Sequence, residues 1–187
     1  LVQTDRSLAL SLERLSSGLR INRAADDSAG LAISQRLRSQ VDGLKMASQN
    51  AEQAKNMVQT AEGFLNEIHN MLGRMRELSV QSASDTVDGA NRASLHGEFE
   101  QLRQEIDRIS TSAEYNNNKL LDGTFTGKQF QVGANGDVDS TITFSVNGVG
   151  SSQMSIDTTD ISSLTGAITA MDDLTTAIDY VSGVRCG

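Results

Sequence analysis

Few side chains in this sequence have the type and spacing that chemistry demands. The two histidines, His69 and His96, fall on different predicted helices, and neither has a Cys, Asp or Glu at the interval that makes a zinc site specific. Each reads as structural or solvent-exposed. Asp26 and Asp27 are an adjacent carboxylate pair, but neighbouring side chains rarely converge on one proton, and helix capping suits them better. Gly148-Val149-Gly150 holds half of a dinucleotide fingerprint, without the third glycine or a parallel-strand setting. No nucleophile elbow, phosphate loop or HExxH zinc sequence occurs. The single cysteine, Cys186, excludes an internal disulfide and leaves compartment undecided, and its reactivity turns on burial. The chain reads as non-enzymatic, with no cofactor and no metal.

Composition narrows the partners. The net charge of −8 and aromatic content of 4% lack the basic, aromatic-interleaved surface that nucleic acid requires. No apolar run is long enough to cross a bilayer, so no membrane partner is expected, and the start of the chain lacks a cleavable secretory signature. Taken alone, that suggests the cytoplasm. Proline is absent from all 187 residues, which fits long helices that tolerate no missing amide hydrogen. Both ends read as cut, since Leu1 is no initiator and Val184-Arg185-Cys186-Gly187 interrupts a helical segment, so a fragment or processed form is expected.

The elements follow from periodicity. From Ala47 to Ser82 a 3-4 spacing repeats without a slip through Ala51, Ala54, Val58, Ala61, Leu65, Ile68, Leu72, Met75 and Ser79. A 3.5-residue repeat keeps one stripe against a partner, so this predicts a long helix of roughly 50 Å in a coiled-coil-like bundle. A second file, Met57, Phe64, Met71 and Leu78, widens the apolar face toward a second partner, while Glu52, Lys55, Asn56, Asn66, Glu67, Asn70, Arg74 and Glu77 face solvent. Ahead of it come a helix striped by Leu8, Leu12, Leu15 and Leu19, a connector capped by Asp26 or Asp27, and a short helix of Ile33, Leu37, Val41 and Leu44 that Gly43 bends. After the Asp85 to Gly89 turn, a helix capped by Asn91 or Ser94 returns antiparallel through Leu95, Phe99, Leu102, Ile106 and Ile109. Asn116-Asn117-Asn118 reads as loop. Phe130 with Val132, and Ile142 with Phe144 and Val146, alternate as half-buried strands bounded by the hairpin dipeptides Asn135-Gly136 and Asn147-Gly148. From Ser162 or Ser163 a last helix, striped by Leu164, Ile168, Met171, Leu174, Ile178 and Val181, comes back beside the first two.

The fold class is therefore mainly α, a long antiparallel bundle with a small antiparallel β-hairpin lobe (α+β). Its expected parts are a helical part at 1–115, the β lobe at 116–160 and the start of a returning helix at 161–187.

Specific strings add to this. Leu15-Ser16-Ser17-Gly18-Leu19-Arg20-Ile21-Asn22, followed by Ala24-Ala25-Asp26-Asp27-Ser28-Ala29-Gly30, closely resembles the N-terminal signature of bacterial flagellins. So do Gln59-Thr60-Ala61-Glu62-Gly63, Arg76-Glu77-Leu78-Ser79-Val80-Gln81-Ser82, Glu105-Ile106-Asp107-Arg108-Ile109 and Phe130-Gln131-Val132-Gly133-Ala134-Asn135, in the family's order. The match is less distinct from Ser140 onwards. The resemblance implies an outer-tube core of a flagellar filament subunit, lacking most of the terminal helices and a large outer domain. It further implies a secreted, extracellular place in the bacterial flagellum, which overrules the cytoplasmic reading, and partners in other flagellin subunits and in the flagellar export and capping machinery. The β lobe would meet the next subunit along a protofilament. A rival with the same N-terminal signature is the hook-filament junction (hook-associated) protein. The resemblance also implies recognition of the monomer by Toll-like receptor 5, through a patch that falls here at Arg74, Leu78 and Glu98, with Gln81 and Leu95 nearby. Arg74, Leu78 and Gln81 share one helical face by spacing alone. Gly73 departs from the family's larger polar residue, which removes contact area and helix propensity.

Overall fold

In the computed structural model, which describes residues 2–186, four helices carry most of the chain: α1 (Val2–Ser17), α2 (Ser28–Ser82), α3 (Gly89–Ser112) and α4 (Leu164–Cys186). Four short strands lie between α3 and α4: β1 (Glu114–Tyr115), β2 (Asn118–Lys119), β3 (Lys128–Gln131) and β4 (Thr141–Phe144), with β1 paired to β2 and β3 to β4. The fold is the mainly α bundle with small hairpins that the periodicity predicts. The Cys186 side chain lies outside the described residues.

Two compact units divide the chain, Leu1–Asn50 with Gln131–Thr141, and Ala51–Phe130 with Ile142–Gly187. In the first, α1 ends where Gly18 turns to φ +69°, a conformation that costs an L side chain about 1 kcal/mol or more. The connector is closed by polar contacts. The Asp26 carboxylate accepts from the Asn22 and Arg23 backbone amides at 3.3 and 3.2 Å, and Arg23 Nε meets Glu13 Oε1 at 2.9 Å. Asp27 is the cap, its Oδ1 accepting from Gly30 N at 2.9 Å. From there α2 runs unbroken for 55 residues, roughly 80 Å at the helical rise. The separate short helix expected before Ala47 does not exist. Gly43 continues the helix because its missing side chain serves a close approach: a Cβ there would stand 3.1 Å from Ala134 Cβ. Asn50 Nδ2 ties the same loop by donating to Gln131 O at 3.1 Å.

The second unit holds the core. Met57, Ala61, Leu65, Ile68, Leu72, Met75 and Leu78 of α2 are buried with Phe99 and Ile106 of α3 in one cluster, and all the residues assigned to the solvated face of α2 are exposed. The α2–α3 turn is fixed from both sides. Arg92 donates to the last carbonyl of α2 and to the turn beyond it, Nε to Ser82 O at 2.9 Å and Nη2 to Ser84 O at 3.2 Å. Asp88 caps α3, accepting from Asn91 N at 2.7 Å, in place of the expected Asn91 or Ser94; a cap must precede the first turn, and Ser94 instead donates to Ala90 O within the helix.

Three further expectations are corrected. Asn116 and Asn117 are not plain loop but a two-residue hairpin turn with φ +48° and +65°, pairing Tyr115 with Asn118 and Glu114 with Lys119. Asn135-Gly136 sits in a longer connection that contains a 3₁₀ turn (Val138–Ser140), and Asn147-Gly148 opens a buried irregular stretch, so neither makes a hairpin turn. Ile142 is 56% exposed, whereas Phe144 is half-buried and Val146 buried. The irregular stretch is held by Asp107, whose Oδ1 and Oδ2 accept from Ser151 N and Oγ at 2.7 and 2.8 Å, by Arg103 donating to Asp157 O, and by Ser82 Oγ donating to Ile161 O at 2.6 Å.

α4 runs antiparallel to the second half of α2, with Ile161 against Ser82 at one end and Val184 beside Val58 and Leu65 at the other. Its packed face is Ala167, Ala170, Leu174, Ala177 and Val181, all fully buried. The predicted stripe is right at Leu174 and Val181, which are buried, half-buried at Leu164, Met171 and Ile178, and wrong at Ile168, which is 50% exposed. α4 belongs to the unit of α2's second half and α3; α1 belongs to the other. No described helix is long and apolar enough to cross a membrane.

Candidate functional site

The antiparallel α2–α3 pair sets Arg74 opposite Glu98. Arg74 Nε and Nη2 both reach Glu98 Oε1, at 2.9 and 2.8 Å, and Nη1 reaches Glu77 Oε2 at 3.1 Å. The hydrogen bonds to Glu98 and then to Glu77 hold the guanidinium still further above its ordinary range. With side-chain exposures of 48% and 44% for Arg74 and Glu98, water screens this pair, so it orients groups more than it stabilises the fold.

The other expected positions separate. Gln81 is exposed, Leu95 is half-buried against the core, and Leu78 is fully buried. Arg74, Leu78 and Gln81 do share a face, on which Arg74 meets Glu98 of α3, Leu78 is buried in the core and Gln81 stays exposed. Its short apolar member is covered by the seam, while the long polar ones reach past it. Sequence spacing alone missed Glu77 and an adjoining groove. Glu77 completes the Arg74 fork at i+3, an interval visible in the sequence. On the α4 side, Gly73, Arg76, Glu77, Val80, Gln81 and Ile178 line an open groove of about 510 Å³, with Val80 56% exposed. Gly73 keeps it open, since a Cβ there would meet no atom within 4 Å.

The first unit has another kind of surface. Leu8, Leu12 and Leu15 on α1, and Ile33, Leu37, Val41 and Leu44 on α2, are all at least half exposed, and Ala47 is the only buried apolar side chain described there. A hollow of about 360 Å³ lined by Leu19, Arg20, Ile21, Leu31 and Arg38 among others adds two guanidinium groups to it. The uncovered helical faces flank the Leu15 to Gly30 strings on either side.

The remaining chemistry is sparse. His69 Nδ1 is buried without a hydrogen-bond partner. His96 Nδ1 stands 3.4 Å from Asp160 Oδ1, near enough for attraction on protonation but not aligned as a hydrogen bond. Asp160 is held below the ordinary aspartate range first by the Ser162 backbone amide, then by its hydroxyl. Among the described residues no three metal-binding side chains converge. The surfaces are suited to recognition and packing.

Comparison with known proteins points the same way. The family profile of the bacterial flagellin N-terminal helical region matches residues 1–126. A flagellin of Halalkalibacterium halodurans is 53% identical over 125 residues, 67% of this chain and 46% of that one. A flagellin of Clostridium tyrobutyricum is 54% identical over 117 residues, 63% of this chain and 31% of that one. The chain thus spans less than half the length of these relatives. The crystal structure of Bacillus cereus flagellin superposes with a TM-score of 0.65 at 29% identity, covering 74% of this chain and 79% of that one. FliC from Burkholderia pseudomallei shares the fold, with a TM-score of 0.61 at 17% identity over 70% of this chain and 95% of that one.

Proposed function

The chain belongs to the bacterial flagellin family, and on that premise we propose that it works as a structural, non-enzymatic subunit of the extracellular flagellar filament, joined to further copies by repeated heterologous contacts. One observation carries the reading. Apolar residues at helical spacing from Leu8 to Leu15 and from Ile33 to Leu44 are uncovered within the chain. Large uncovered apolar faces mark interaction sites, and a contact between two different faces of identical subunits propagates as an open helix. Subunits reach the growing end through the flagellar export and capping machinery.

Electron microscopy of the intact protein after salt-induced, seeded polymerisation tests this. Long tubes of uniform width are expected, and Leu12→Ser with Leu37→Ser and Val41→Ser should abolish them while leaving the second unit folded. Attachment only at hook ends, without propagation, would replace this reading with that of the hook-filament junction protein.

A second reading rests on the exposed Arg74–Glu98 fork, with Gln81 exposed seven residues further along the same helix. The monomer presents this patch to Toll-like receptor 5. An arginine fixed in a planar fork with partly exposed donors makes an interface anchor. Leu78 supports the patch from beneath instead of touching the receptor. Arg74→Ala should weaken receptor binding at unchanged helicity, and unaltered binding would remove this reading. Leu78→Ala is no clean test, because emptying a fully buried site costs about 2–5 kcal/mol of stability.

A further inference from the structure

We propose that Asn135 is a site of spontaneous covalent modification, its side-chain amide being converted through a cyclic imide with the Gly136 nitrogen into aspartate and isoaspartate. The chain has two Asn-Gly dipeptides, Asn135-Gly136 and Asn147-Gly148. They share composition and differ in setting.

The reaction begins when hydroxide or water removes the Gly136 N–H proton. The nitrogen then attacks Asn135 Cγ, forming an N–C bond. The Cγ–Nδ2 bond breaks, and ammonia leaves after taking a proton from water. Water finally opens either imide carbonyl, giving aspartate from one and isoaspartate from the other. Three conditions favour it at Asn135. Both residues are exposed, and a Cβ at Gly136 would meet no atom within 4 Å, so the backbone has room to swing its nitrogen toward Cγ. The Asn135 amide has no hydrogen-bond partner among the described residues that would hold it back. Gln131 Nε2, anchored on Gly133 O at 2.9 Å, donates to Asn135 O at 2.5 Å. That oxygen belongs to the same peptide group as the Gly136 nitrogen. When the nitrogen ionises, charge spreads onto the oxygen, where a donor is already aimed, so the nucleophile forms more easily.

At Asn147-Gly148 the backbone is clamped instead. Gly148 is buried, Tyr180 Oη donates to Gly148 O at 3.0 Å, and a Cβ on Gly148 would lie 3.1 Å from Gly123 N. On either side, Val146 N donates to Phe125 O at 2.8 Å and Val149 N to Leu121 O at 3.0 Å. The rotation that the reaction needs must first break this local structure. Modification at Asn135 adds a carboxylate to the β3–β4 connection, and the isoaspartate form adds a backbone carbon there.

The test holds the folded full chain in mildly alkaline buffer and follows both asparagines by electron-transfer fragmentation mass spectrometry, with isoaspartyl methyltransferase labelling as a second readout. Asn135 should react at least about tenfold faster than Asn147, a barrier difference of about 1.4 kcal/mol. In urea the two rates should converge. Gln131→Leu and Gln131→Glu should each slow Asn135 toward its unfolded rate and leave Asn147 unchanged, with circular dichroism confirming the fold. Tyr180→Phe should quicken Asn147. Equal rates in the folded chain, a faster Asn147, or an Asn135 rate indifferent to both Gln131 variants would overturn the assignment.

Discussion

Asp122 Oδ1 accepts from Thr124 N at 2.9 Å and from Thr124 Oγ1 at 2.7 Å. These donors, the backbone amide first, keep its carboxyl below the ordinary aspartate range, and Ser162 does the same for Asp160. A carboxyl whose folded pKa is depressed contributes stability that is complete above its unfolded pKa and is lost as pH falls through the folded one. The loss therefore sets in below about pH 4. An acid titration monitored by circular dichroism should show a shallower decline for Asp122→Asn than for the native chain, and an unchanged slope would mean that the turn does not sense its charge. Such residue-scale turns were only partly legible. Asp26 and Asp27 could be read as caps because a carboxylate before a periodic segment has few other uses, and Asp27 is one. Asn116-Asn117 escaped, because composition marks a loop whether or not its residues take positive φ; the two-residue turn is set by the pairing of Tyr115 with Asn118. The Arg74–Glu98 contact joins residues on two helices, and spacing within one helix cannot locate it.

Among elements, the α2 stripe that is strict from Ala47 to Ser82 is buried from Ala61 onwards but exposed at Ala51 and half-buried at Ala54 and Val58, and the helix was misread where a glycine looked like a break. Helical hydrogen bonding on both sides of Gly43 outweighs a penalty of about 1 kcal/mol. α4 was legible at Leu174 and Val181 and misread between them and at its start for the opposite reason. Its large aliphatics, Ile168 and Ile178, drew the stripe toward themselves, whereas the buried file is mostly alanine, which lets the helix lie close against its neighbours. The register makes a test. Ala170→Leu overpacks a fully buried position and should cost about 1–3 kcal/mol, while Ile168→Ala, at a 50% exposed position, should change stability by no more than about 0.5 kcal/mol. Thermal melts in which Ile168→Ala is the more harmful would move the packed face back to the predicted stripe. Gly73→Ala should raise stability by about 0.5–1 kcal/mol, since the added methyl meets open space in a helix interior, and by the same methyl should narrow the groove beside Val80.

For the whole molecule, the decisive fact is how unevenly burial is shared. Every member of the core cluster, from Met57 to Val181, lies in the unit of Ala51–Phe130 with Ile142–Gly187; the other unit has Ala47 as its one described buried apolar residue. At roughly 25 cal/mol per Å² of apolar surface removed from water, the first unit gains little from its own leucines and isoleucines. Backbone ordering costs it as much per residue as anywhere else, about 1–2 kcal/mol. Helical propensity and the polar contacts of Asp26, Asp27 and Arg23 must hold it, and these are small terms. Amide hydrogen exchange on the isolated chain should therefore be much faster from Val2 to Asn50 than from Met57 to Ser82, although the latter two stretches share one continuous helix at their junction. If other copies cover Leu12, Leu37 and Val41 in a filament, the same amides should slow by orders of magnitude on polymerisation, because each covered side chain adds about 1.5–3 kcal/mol to the local opening cost. Val80 and Gln81 give an internal comparison, as their amides are already protected by the core beneath. Equal protection of both halves of α2 in the isolated chain would mean that the first unit is stabilised from within, and the uncovered faces would then no longer argue for assembly.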